Sequence, residues 1–74
     1  MQLSTAPQFP QIYQIQIREY LDDEVAEWFH PLTSTHQPDG ATTLTGPVRD
    51  QAELHGLLIK IRDLNLTLLS VINK

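Results

Sequence analysis

Between Asp50 and Asn65 the sequence leaves room for little besides one helix. Asp50 can cap a helix N-terminus, and Glu53 three residues later supports it in the manner of a capping box. Leu54, Leu57, Leu58, Ile61 and Leu64 recur at helical spacing and fall on one side. Asn65 stands where a left-handed residue ends a helix, and Leu66 can fold back on the last turn. Such a helix carries an apolar stripe and needs a second layer to bury it.

The flanking segments supply that layer. "QIYQIQIREY" alternates, with Tyr13, Ile15 and Ile17 on one side and Gln14, Gln16 and Arg18 on the other, the period of a half-buried strand. "LDDEVAEWFHPL" reads as a short helix capped by Asp22 or Asp23 and stopped by Pro31. Its Leu21, Val25, Trp28 and Phe29 share a side, which places Trp28 and Phe29 in the core. The acidic group Asp22, Asp23, Glu24 and Glu27 suits the start of that helix. "LTSTHQPDGATTLTG" reads as a hairpin turning at Pro38-Asp39-Gly40, with Gly46-Pro47 ending its second strand. The apolar "LTLLSVI" is a final strand.

The order is β-α-β-β-α-β. It predicts an α+β, ferredoxin-like fold, a four-stranded antiparallel sheet with two helices on one face. Residues 1–10, polar with two prolines, are expected to form an N-terminal arm, and residues 11–74 a single domain.

A chain of 74 residues buries only about 60% of the surface its unfolded form exposes. With no cysteine there is no disulfide and no thiolate metal site to help. Oligomerisation is the remaining aid. Net charge is −4 with no basic cluster, against a nucleic-acid partner. No apolar run reaches the length of a membrane span, and the first residues lack a signal-peptide pattern. The expected location is the cytoplasm, with no membrane partner.

Two surfaces are candidates for contact. On the 51–63 helix the side opposite the apolar stripe carries Ala52, Gly56, Ile59 and Asp63, where long polar residues would ordinarily stand. Gly56 in a helix interior costs about 1 kcal/mol relative to Ala, and close approach of another backbone would offset that. The final strand is apolar at both alternating sets, including Leu69 and Val71, so part of the sheet face left open by the helices is expected to be apolar.

Of the three histidines, none forms a metal-binding spacing, and no metal or other cofactor is expected. His55 lies one turn into its helix beside Gln51, with Asp50 near in sequence. These three are the candidate ligand-binding residues. His55 or His36 could act in acid–base catalysis, but no paired catalytic group accompanies either, and no catalytic residue is assigned. No phosphate-binding loop or nucleophile elbow is present.

The run from Leu44 to Val71, with Leu-Thr-Gly-Pro-Val, Asp-Gln-Ala-Glu-Leu-His-Gly-Leu-Leu and Ile-Arg-Asp-Leu, resembles a group of small bacterial proteins. Members of that group often carry Gly after Arg-Asp-Leu, where this chain has Asn65. The resemblance implies no activity. At the level of fold alone the chain is similar to ACT-type regulatory domains, which pair and bind small ligands. The functional expectation is a non-enzymatic module that forms a homodimer or binds another protein, with Ala52, Gly56, Ile59, Leu69 and Val71 at the interface. A ligand sensor with its site at a dimer seam near Asp50, Gln51 and His55 is the alternative. A small dimeric α/β-barrel enzyme using His55 is a further one.

Overall fold

The structure, a computed structural model, describes residues 10–74. The expected N-terminal arm therefore lies outside the described residues, apart from Pro10. The elements are β1 (Gln11–Ile17), α1 (Asp23–Glu27), β2 (Thr33–His36), β3 (Thr42–Val48), α2 (Gln51–Asp63) and β4 (Leu68–Asn73). The four strands form one antiparallel sheet in the order β2-β3-β1-β4, the ferredoxin-like arrangement.

Alternation along β1 sorts the sheet into two faces. Tyr13, Ile15 and Ile17 are buried, and Ile15 pairs with Leu44 on one side and Val71 on the other. Paired residues share a face. The core on this face is Tyr13, Ile15, Ile17, Leu44 and Val48 from the sheet, closed by Leu21, Phe29, Leu32, Leu57 and Ile61. Leu54, Leu58, Leu64 and Leu66 pack against it from the side. The apolar stripe of α2 thus lies where its spacing predicts.

The opposite face is polar across β2, β3 and the middle of β1 and apolar in part, where Ile12 and Ile72 stand exposed. Gln14, Thr45 and Thr33 lie in one row across it, and Gln16, Thr43 and Thr35 in the next. Ile72 and Ser70 extend these rows onto β4. Val71 belongs to the helix side instead. A bulge between the Gln16 and Ile17 pairings puts Leu68 opposite Ile17, so the alternation of β4 is broken there.

β3 does not end at Gly46-Pro47 but continues to Val48, paired throughout with β1. β2 pairs only as far as Thr45, so past that point one side of β3 is free, and proline is compatible with a free strand edge. Gly46 serves a second purpose. A Cβ there would lie 2.9 Å from the Leu32 Cα, so only glycine admits the chain as it crosses into the core.

Helix ends follow the sequence signals closely. The Asp50 carboxylate accepts from the Glu53 N–H at 2.8 Å, and Glu53 reaches back to the Arg49 N–H. Asn65 has φ 60°, Leu66 N–H donates to Ile61 O, and Asn65 N–H donates to Arg62 O. Together these are a Schellman motif. In α1 the cap is Asp22, which accepts from Val25 N–H. Past Glu27 the chain tightens into three-residue turns, with Phe29 N–H to Ala26 O and His30 N–H to Glu27 O. That tightening rotates Phe29 fully into the core and leaves Trp28 half-exposed, which corrects the placement of Trp28 in the core.

Candidate functional site

The sequence-derived candidates occupy two separate places. Gln51 and His55 are exposed on α2, four residues apart and hence on one side of the helix. Asp50 precedes them, with its carboxylate engaged by the Glu53 N–H as a helix cap. Ala52, Gly56 and Ile59 are exposed on the outer side of the same helix. Among the described residues, no atom of another element comes within 4 Å of where a Gly56 Cβ would stand. No packing among the described residues therefore requires a glycine at position 56.

Leu69 and Val71 lie on β4, at the edge of the sheet. Along this strand every residue but Ser70 is exposed. Leu68, Leu69, Val71 and Ile72 are four of the eight large hydrophobic residues exposed in the described chain. Their concentration in one six-residue strand sets them apart from scattered surface apolar groups.

The loop joining β1 to α1 carries several contacts that sequence reasoning missed. Thr42, fully buried, donates its hydroxyl to Glu19 O and accepts from Leu21 N–H. The His36 Nε2 lies 2.9 Å from Leu21 O, so that nitrogen donates. The His36 ring also lies against exposed Tyr20, with centroids 4.1 Å apart. His36 thus braces a loop. Glu19 in turn accepts two hydrogen bonds from Thr67, which hold its carboxyl below the ordinary carboxylate range, the Thr67 N–H contributing most. No local pattern announces a partner 48 residues away.

An open groove between α1 and β2 is lined by Asp23, Glu27, His30, Thr33 and Ser34. Among the described residues, no group of three His, Cys, Asp or Glu side chains could hold a metal ion. No helix among them is long and apolar enough to cross a membrane.

In comparisons with known proteins, one family model matches over residues 12–72; its description is "Domain of unknown function (DUF8691)". No curated protein and no solved structure matches the chain.

Proposed function

We propose that this chain, which belongs to that family, is a small non-catalytic module that works by associating with a second copy of itself. The observation that carries the reading is β4. It is an edge strand with Leu68, Leu69, Val71 and Ile72 left 43, 46, 38 and 49% exposed. A strand edge of this kind is a template for another strand, and natural proteins ordinarily guard it. The small core adds a motive, because association adds burial to a chain of 74 residues whose own core is small.

The outer side of α2 offers a second contact surface. Ile59 is exposed there beside Ala52 and Gly56, with none of the described residues over Gly56. Catalysis has less support. His36 is engaged with Leu21 O and Tyr20, and Asp50 is committed to a helix cap.

Sedimentation equilibrium across a concentration series tests the proposal. Mass is expected to rise with concentration toward twice 8.4 kDa. A constant 8.4 kDa up to millimolar concentration overturns it.

A further inference from the structure

Resting on the self-association proposed above, we infer that its seam is β4 against β4 of a second copy. The two strands run antiparallel about a two-fold axis, and two four-stranded sheets become one continuous sheet.

The phase of the β1–β4 ladder identifies the groups that meet. Lys74 N–H donates to Ile12 O, one step outside the Tyr13–Asn73 pair. In an antiparallel ladder, hydrogen-bonded and non-bonded pairs alternate. Ile72 therefore turns its N–H and C=O toward β1, while Val71 and Asn73 turn theirs off the sheet. These outward groups are what a further strand would bind.

Between its bulge and Lys74, β4 carries none of the charges or prolines that blunt an edge. From Leu64 to Asn73 there is no Lys, Arg, Asp, Glu or Pro. The bulge lies at the Leu68 end, and Ser70 to Asn73 pair regularly with β1. β2, at the other edge, is shorter and polar: Thr33, Ser34, Thr35 and His36.

This asymmetry selects a second copy as the occupant. Pairing β4 with β4 covers both apolar edges and leaves only polar β2 edges at the ends, so assembly stops at two. Pairing β4 with β2 would leave a β4 edge free at every step and would propagate as a filament. Charge agrees. Each copy carries −4, yet the strand at the seam carries none, so like charges are not brought face to face. The two-fold also sets apolar side chains of one strand beside the same set of the other. A seam of one strand pair is small, so the dimer is concentration-dependent rather than obligate.

The chain contains no cysteine, so a single introduced thiol is the only one present. Ser70→Cys, Val71→Cys and Ile72→Cys are made separately in the full chain and oxidised, with Ala52→Cys as the control. The seam is placed on the regularly paired stretch, with the axis within Ser70–Ile72, where one position must face its own counterpart, so a disulfide-linked dimer is expected from at least one of the three and not from the control. Val71→Lys puts two like charges close together at the seam, and is expected to raise the dissociation constant at least about tenfold without lowering the melting temperature at dilution. If the wild-type chain dimerises but none of the three cross-links and Val71→Lys dimerises unchanged, the seam is wrong while self-association stands. Filaments that lengthen with concentration overturn the two-fold. A wild-type chain that is monomeric throughout overturns the self-association reading itself, and the seam with it.

Discussion

Glu19 holds Thr67 with both oxygens of its carboxylate. Oε1 accepts the Thr67 N–H at 2.8 Å and Oε2 accepts its hydroxyl at 2.7 Å. Arg18 N–H donates to Thr67 O beside them. The loop leaving β1 is thereby fastened to the residue that precedes β4, and the start of the exposed edge strand is fixed.

That contact makes a prediction about acid stability. The two donors favour the ionised carboxylate, so the folded-state pKa of Glu19 lies below its unfolded value of about 4.3. A depressed carboxyl pKa contributes stability that is fully present above the unfolded pKa and is lost as pH falls through the folded one. Glu19→Gln removes the charge that titrates. The gap in stability between wild type and variant is expected to stay constant above about pH 5.5 and to shrink as pH falls below about 4. Urea unfolding from pH 7 down to pH 2.5 checks this. A gap that does not change with pH would show that the charge on Glu19 contributes nothing.

Gly46 and Gly56 are expected to respond in opposite directions. At Gly46 a Cβ would meet the Leu32 backbone, which cannot move aside like a flexible side chain. Gly46→Ala should lower stability by about 1–3 kcal/mol, the range of overpacking. At Gly56 the space is open, and alanine should raise helix stability by about 0.5–1 kcal/mol. Thermal unfolding of both variants at low protein concentration decides the matter. A Gly56→Ala chain that is more stable yet fails to associate would show that the outer side of α2 belongs to a contact.

Neighbouring aromatics Trp28 and Phe29 should also separate. Phe29 has no exposed surface, and the Lys60 ammonium stands 5.9 Å from its ring centroid. Phe29→Ala should cost about 3–5 kcal/mol, enough to unfold most of a domain this small. Trp28→Ala should stay within about 1 kcal/mol, because half of the side chain is already in water. The Trp28 carbonyl, which accepts from Lys60 Nζ at 2.7 Å, survives that substitution. Far-ultraviolet circular dichroism of the two variants at 25 °C measures the difference.

The division of labour between Trp28 and Phe29 marks where the sequence stops being legible. Local codes were readable: the Asp50 cap, a cap at Asp22 or Asp23, the left-handed Asn65, the Gly40 turn and the alternation of β1 each state a backbone geometry within a few residues. The βαββαβ order followed from them. A five-residue helix that tightens at its end is a different case, because a fixed 100° step misplaces residues beyond the regular part. The register of β4 is another such case: the pairing of Val71 with Ile15 puts it on the helix side, and the bulge toward Leu68 breaks the period of two beyond Ser70. The Glu19–Thr67 and Thr42–Glu19 contacts join residues 48 and 23 apart, and nothing local signals either. Of the candidate site residues, spacing placed Gln51 with His55 and Ala52 with Gly56 and Ile59 on α2. It did not reveal that Leu69 and Val71 lie at a sheet edge, since strand order is a property of the whole sheet.

Asn65 offers the sharpest test of a local code. It is the only non-glycine residue of the described chain with positive φ, and its Schellman motif turns the chain from α2 toward β4. The left-handed region costs an ordinary residue roughly 1–2 kcal/mol, costs asparagine less, and costs glycine almost nothing. Asn65→Val, β-branched and without a local hydrogen-bonding group, should therefore lower stability by about 1–2 kcal/mol, while Asn65→Gly should leave it level or raise it slightly. For a domain of this size each kcal/mol corresponds to roughly 4–8 °C in melting temperature. Valine should also speed hydrogen exchange at the Leu66 amide, whose bond to Ile61 O depends on the turn. Equal melting temperatures for the valine and glycine variants would mean that the chain leaves α2 by another route.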